Sequence, residues 1–310
     1  MVLWDNEGLF VNFRLQTTKM NKSNFSKIIA GTMSWGVWGR NFNFSVMQHM
    51  IEMTVDLGIS SFDHADIYGG YTTESAFGTA LSNTAIARTD VQFISKCGIQ
   101  LMSPTRQNEL KHYNCSKDYI ISSAEASLKH LQTDFLDVLL IHRPSPMMHP
   151  YEVMEAIEQL KKQGKINHFG VSNFTTSQIE LISSEVAVEV NQIEFSAVQC
   201  QALFDGRLDQ MITQDIIPMA WAPLGSVFST EITPQKEQIL KQLGLLTPKY
   251  NATPDQLLFA WILGHPSGIR PVIGTTNLER IKAASKAVSI HLTTQDWFKI
   301  LEASQGHEVA

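Results

Sequence analysis

A (β/α)8 barrel of the TIM type, an α/β fold, is the architecture this sequence predicts. Short β-rich apolar runs alternate with helical stretches almost to the C-terminus. The runs number eight, the tally that closes such a barrel. The length of 310 residues holds one barrel of about 250 residues with additions. A doubly wound sheet is the other arrangement of the same alternation. With 44% hydrophobic residues against 17% charged, the chain can bury a sizeable core.

The elements follow in order. Residues 1–12 fit no element and read as a disordered or artefactual extension. Residues 13–26 predict a small hairpin plugging the barrel bottom. The strand runs are 27–33, 60–66, 91–98, 137–142, 168–173, 187–193, 217–224 and 270–275. Helical patterns at 44–57, 75–81, 118–131, 151–162, 176–184 and 206–213 lie between them. The seventh barrel helix is read at 255–264, with Pro254 in its first turn. Thr176 is the expected cap of the helix after Asn173, and Gly164 follows the Lys-rich end of 151–162 as a C′ glycine should. Two extra helices, 233–245 and 294–303, break the strict alternation. No low-complexity linker or further repeat divides the chain, so residues 13–310 read as one domain.

Composition excludes several classes. Lys and Arg total 24 against 30 Asp and Glu, a net charge of -6, which leaves no basic footprint for nucleic acid. No apolar run nears the ~20 residues of a membrane span. The first residues carry acids where a secretory signal carries bases. Cys97, Cys115 and Cys200 lie far apart in no metal spacing, which fits a reducing cytoplasm. Cys97 reads as a small buried filler, not a nucleophile. The ten histidines show no paired ligand spacing, so no metal is expected.

Active sites of such barrels collect at the C-terminal strand ends. The second run ends Phe62-Asp63-His64-Ala65-Asp66, then Ile67-Tyr68; the third ends Ile94-Ser95-Lys96-Cys97; the fourth ends Leu140-Ile141-His142. Asp63, Tyr68, Lys96 and His142 thus share one rim. A phenol titrates near 10, and a neighbouring ammonium is expected to lower that value. An aspartate keeps the buried lysine charged, and a histidine orients a carbonyl oxygen. Together they make a proton donor for an oxygen gaining negative charge, as when hydride reaches a carbonyl.

These residues resemble the aldo-keto reductase superfamily. Asp63-His64-Ala65-Asp66-Ile67-Tyr68-Gly69 is similar to its signature, with the aspartate five residues before the tyrosine. Ser95-Lys96, Leu140-Ile141-His142-Arg143-Pro144, Gly170-Val171-Ser172-Asn173-Phe174 and Asn191-Gln192 follow in the family's order. The wording is most similar to the bacterial YdhF-type oxidoreductases, and the resemblance runs from about Ile28 to the last helix. It implies that Tyr68 is the general acid, tuned by Lys96 and Asp63, with His142 placing the carbonyl.

The resemblance also implies a nicotinamide cofactor; no G-x-G-x-x-G opens a helix after a strand, so a Rossmann site is not indicated, and the resemblance implies binding assembled from strand ends. Ser172, Asn173 and Gln192 would hold its carboxamide. Trp221 would stack on its ring, although taken alone Trp221 reads rather as a core residue. Gly31, Thr32 and Met33 at the first strand end join the cofactor set. Ala222, Pro223, Leu224, Gly225 and Ser226 would cover the pyrophosphate. Gly274, Thr275, Thr276 and Arg280 form an anion site at a helix start, which favours NADPH. Gly274 stands where some relatives carry lysine, so NADH stays open.

Trp35, Trp38 and Met147 are the expected substrate wall, in an open pocket for a small carbonyl compound. A monomer or small homo-oligomer is expected. A second function is a nicotinamide-binding regulatory subunit of the potassium-channel β type, without turnover. A third is a barrel hydrolase or lyase using Lys96 as a Schiff-base amine, which leaves Tyr68 and the Ser-Asn/Gln set unexplained.

Overall fold

In chain order the strands are β1 (Ile29–Gly31), β2 (Ser61–Asp63), β3 (Gln92–Cys97), β4 (Ile99–Gln100), β5 (His112–Tyr113), β6 (Leu136–Ile141), β7 (Ile166–Ser172), β8 (Val190–Glu194), β9 (Ile217–Trp221) and β10 (Arg270–Ile273). The helices are α1 (Phe44–Asp56), α2 (Thr73–Leu81), α3 (Lys117–Leu131), α4 (Pro150–Lys162), α5 (Thr176–Ser183), α6 (Arg207–Thr213), α7 (Pro234–Tyr250), α8 (Pro254–Leu263), α9 (Leu278–Ala287) and α10 (Thr294–Gln305). The structure is a computed structural model that describes residues 25–103 and 106–310. The expectation for residues 1–12, and that for the 13–26 hairpin in all but its last two residues, lie outside the described residues. Eight parallel strands close the barrel in the order β1-β10-β9-β8-β7-β6-β3-β2, so each predicted run has its strand. None of the described helices is long and apolar enough to cross a membrane.

Three local expectations need correction. The cap of α5 is Thr175, not Thr176: its hydroxyl accepts from Gln178 N at 3.3 Å while Gln178 Oε1 accepts from Thr175 N at 3.0 Å, a capping box. The first extra helix runs past residue 245 to Tyr250 and through Pro248. Its last turn is held from outside, because Lys249 pairs with Asp296 and Tyr250 Oη donates to the same carboxylate at 2.6 Å. The antiparallel pair β4–β5, Ile99 beside Tyr113, was not predicted. Two residues per strand are too few to leave a periodic pattern. Gly164 (φ +70°) and Pro254 stand where expected, just past α4 and opening α8.

Alternation along the strands divides the core. One set of side chains, Phe62, Phe93, Leu139, Phe169, Val171 and Ile193 among them, packs outward against the helices. The other forms a separate cluster of Ile29, Ile94, Val138, Leu140, Val190, Ile217, Met219 and Val272, with Phe25 beneath. These residues alternate with the outward set, so they fill the barrel interior. Arg270 closes the bottom, its guanidinium donating to the carbonyls of Phe25 and Ser26. Each fully buried side chain of this size contributes roughly 1.5–3 kcal/mol.

Two residues beyond the interior cluster, on the same face of the strands, stand Lys96 (after Ile94), His142 (after Leu140), Gln192 (after Val190), Trp221 (after Met219) and Gly274 (after Val272). The apolar interior is the floor of the site. β7 contributes Gly170 at the floor level, because a Cβ there would lie 2.5 Å from Val190 O and 2.7 Å from Leu140 Cδ2.

Candidate active site

Lys96 is the centre of the polar cluster. It is fully buried, and its ammonium donates to Asp63 Oδ2 at 2.7 Å, to the His64 carbonyl at 2.7 Å and to Tyr68 Oη at 3.0 Å. All three N–H groups are thereby used. Burial opposes the charge, but Asp63 and Tyr68, by charge and hydrogen bond, outweigh it and hold Lys96 above the ordinary lysine value. Asp63 Oδ1 accepts from Gln192 Nε2 at 2.7 Å, so both carboxylate oxygens are occupied. Tyr68 accepts from Lys96, which leaves its own O–H to donate elsewhere.

The phenol departs from the expectation of a lowered pKa. Burial pushes Tyr68 above its ordinary value; Lys96 pulls down and Asp63 pushes up. Desolvation disfavours the phenolate more than one ammonium already shared with Asp63 can offset. Tyr68 is therefore a protonated donor at neutral pH.

His142 meets Tyr68 edge to face, ring centroids 6.1 Å apart at 79°. Burial, then the charges of Lys96 and Arg143, hold its imidazole well below the usual histidine range, so it is neutral. Its backbone N–H goes to Cys97 O at 2.8 Å, which carries the β3–β6 pairing one step past the strand. Trp38 approaches the other side of Tyr68 at 6.3 Å and 61°. The four predicted catalytic residues do come together, with Trp38 at their mouth.

His64 belongs to the support beneath. Burial, then Lys96 and Arg88, lower it to about 3, and its ring packs against Phe77 at 4.5 Å and Phe93 at 5.6 Å. Thr32 meets His64 Nδ1 at 2.9 Å, and its hydroxyl lies 3.1 Å from Asp63 O. Thr32, expected in the cofactor set, has its side chain fully buried in this network. Gly31 is a strand residue against Ile273 O, and Met33 is exposed at the rim.

A second network joins the ends of β6, β7 and β9. Trp221 Nε1 donates to Asn173 Oδ1 at 2.9 Å, and Asn173 Nδ2 donates to Ser172 Oγ at 3.0 Å. These bonds support Asn173 in a left-handed conformation (φ +60°). Arg143 donates to the same Ser172 oxygen at 3.2 Å and to His142 O at 2.8 Å, with its guanidinium 5.7 Å from the Trp221 ring centre. Ser172 is fully buried beneath them; it holds Asn173 and Arg143 instead of facing the mouth. Two amide groups stay available: the second Nδ2–H of Asn173 as donor and Gln192 Oε1 as acceptor. Arg143 stands in the Leu140-Ile141-His142-Arg143-Pro144 segment, where local sequence alone assigns it no role.

A cleft of about 600 Å³ opens between the segment that follows β9 and α9. It gathers Ala222, Pro223, Leu224, Gly225, Gly274, Thr275, Thr276 and Arg280, all predicted, with Ser34, Arg40 and Phe259, which were not. Ser226 stands exposed beyond its edge. Asn277 caps α9, accepting from Arg280 N at 3.2 Å, so the helix start faces the Thr275–Thr276 segment. The apolar lining with hydroxyls, a helix start and guanidinium groups fits a phosphorylated aromatic ligand.

Two predicted substrate residues lie elsewhere. Trp35 is 1% exposed and packs on Phe42, Phe62 and Phe77; it is core, because its ring fills the space between β2 and α2. Met147 is 91% exposed and walls nothing.

A family model described as Aldo/keto reductase family matches residues 27–305. The chain is 42% identical to the uncharacterized oxidoreductase YcsN of Bacillus subtilis (strain 168) over 291 residues, covering 92% of this chain and 96% of that protein. It is 40% identical to the oxidoreductase YdhF of Escherichia coli (strain K12) over 290 residues, covering 92% and 95%. An aldo/keto reductase from Klebsiella pneumoniae, solved in complex with NADP and acetate, shares the fold at a TM-score of 0.72 and 22% identity, with 89% and 90% of the two chains covered.

Proposed function

Since this chain belongs to the aldo/keto reductase family and is an oxidoreductase, we propose that it reduces a small aldehyde or ketone to the alcohol with NADPH, Tyr68 acting as the general acid. The observation that carries this reading is the contact of the Lys96 ammonium with Tyr68 Oη at 3.0 Å and Asp63 at 2.7 Å, at the open end of the barrel.

When bound, the reduced nicotinamide supplies the hydride that reaches the carbonyl carbon. The protein's own part is the oxygen. Tyr68 gives its proton to the carbonyl oxygen as negative charge develops there. The phenolate left behind lies against Lys96, whose charge Asp63 secures. The neutral His142 offers a ring N–H to the same oxygen, and Trp38 stands beside Tyr68 at the mouth, 6.3 Å between ring centroids. Asn173 and Gln192 present one amide N–H and one amide oxygen, which complements a primary carboxamide. Trp221, held by Asn173, offers a flat face for stacking. The cleft from Ala222 to Arg280 would take the adenosine and phosphate portions. That an aldo/keto reductase of this fold from Klebsiella pneumoniae is solved with NADP supports NADP(H) as the class of cofactor. All three cysteines are free thiols, which suits an enzyme of the reducing cytoplasm.

The test is the loss of nicotinamide absorbance with NADPH, then NADH, against aldehydes, ketones and quinones, for wild type and Tyr68→Phe. The variant is expected to lose about 10²–10⁴-fold in kcat while binding NADP+ as wild type does. Equal turnover by the two proteins would remove Tyr68 from the chemistry. Tight binding without turnover in wild type would return the regulatory-subunit reading.

A further inference from the structure

The cleft holds two guanidinium groups, and only Arg280 comes from the segment that sequence reasoning assigned to phosphate; the other belongs to Arg40. β1 and β10 pair in parallel, Ala30 beside Ile273. The segments that follow them therefore leave the barrel rim side by side and form two lips of one cavity. The core residue Trp35 ties the lips together, its indole donating to Thr275 O at 3.3 Å.

The turn that carries Arg40 is tightly made. Arg40 N donates to Ser34 O at 2.8 Å and Asn41 N to Gly36 O at 2.9 Å. A Cβ on Gly39 would lie 2.1 Å from Ser34 O, so only glycine allows this closure. The backbone of Arg40 is fixed while its side chain stays exposed. Among the described residues neither Arg40 nor Arg280 has a side-chain hydrogen-bond or ion-pair partner. One carboxylate, Asp255, shares the lining with these two cations, and it is suited to sugar hydroxyls. Gly274, between the lips, has open space around its Cβ position, so this strand end leaves room for a bulky anion.

We propose that Arg40 is a cofactor-specificity residue that clamps the 2′-phosphate of NADPH from the lip opposite Arg280. The proposal rests on the nicotinamide-dinucleotide reading given above. A phosphomonoester carries nearly two negative charges at neutral pH and three terminal oxygens. It is thus the phosphate that two guanidinium groups match, whereas each pyrophosphate unit carries a single charge. Arginine–phosphate pairs are charge-assisted and often two-pronged.

Calorimetric titration with NADP+, NAD+ and 2′,5′-ADP tests this without turnover. Arg40→Ala is expected to weaken NADP+ and 2′,5′-ADP by at least about tenfold and NAD+ by less than about twofold. Arg40→Gln, which keeps the stem but not the charge, is expected to do the same. Unchanged NADP+ affinity in either variant overturns the proposal and leaves the cofactor reading standing. Equal weakening of NADP+ and NAD+ also overturns it, since the group gripped would then be the pyrophosphate. Wild type binding none of the three ligands would overturn the cofactor reading itself, and the proposal with it.

Discussion

Asp63→Asn is the substitution that most directly probes how the site is held. Asp63 accepts from Lys96 at 2.7 Å and from Gln192 at 2.7 Å, and both partners of the ion pair are out of solvent. The amide keeps the shape and removes the charge, leaving Lys96 a buried cation with neutral partners only, the His64 carbonyl and Tyr68 among them. Breaking one side of a buried pair costs about 3–5 kcal/mol. Unfolding entropy of ~2.1 cal/mol/K per residue, over 310 residues, gives ~0.65 kcal/mol/K. The expected drop in Tm is therefore about 5–8 °C at pH 7.

The pH dependence supplies the sharper check. In wild type Lys96 is held above the ordinary lysine value, so its contribution is complete below that value and lost only as pH rises through the raised one. In the variant only the hydrogen-bond partners that remain, Tyr68 among them, oppose burial, and the native state releases the proton earlier than wild type does. The variant then gains stability relative to wild type as pH climbs toward the ordinary lysine value near 10.4. Denaturant unfolding at pH 7 and pH 9.5 should show the deficit shrinking, and Asp63→Asn with Lys96→Met should lie well above the sum of the single losses. A deficit below about 1 kcal/mol, far under the 3–5 expected for a broken buried pair, or one independent of pH, would refute this account.

Two further outcomes follow from the barrel wall. Asp66, buried beside Glu74 with Ser123 and Tyr119 donating to it, is pushed up to about 7, by burial first and by the Glu74 charge next. A raised carboxyl contributes stability that is present below the unfolded value near 3.9 and lost as pH rises toward 7. Asp66→Asn should match wild type below pH 4 and exceed it by up to about 4 kcal/mol above pH 8 (about 1.36 kcal/mol per unit); equal urea midpoints at pH 8.5 would contradict this. Gly170→Ala drives a methyl to 2.5 Å from Val190 O, a backbone atom of the neighbouring strand that cannot turn aside. It should cost about 1–3 kcal/mol or more, and a midpoint within error of wild type would mean the strands part more easily than their pairing indicates.

The alternation of apolar runs and helical stretches was enough to predict the barrel, because each strand and helix carries its own period. The strand ends then named Asp63, Tyr68, Lys96 and His142, since neighbouring strands in sequence are neighbours in the sheet. Caps were legible only to within a residue: Thr175 and Thr176 both offer a hydroxyl, and the backbone decides between them. Trp35 looked like pocket lining because it sits in a rim loop among aromatic residues. Its burial depends on the space left between β2 and α2, which no local pattern carries.

What remained for the tertiary structure was the direction and company of each side chain. That Ser172 lies beneath Arg143, that Gln192 spends its N–H on Asp63, and that burial outweighs Lys96 at Tyr68 are effects of residues far apart in the chain. So is the placing of Arg40 and Arg280, far apart in the sequence, on one cleft where β1 closes onto β10. A sequence determines which residues stand at the rim through periods of two and 3.6 residues. Which of them face one another, and which charges go unanswered, is decided by the closure of the barrel.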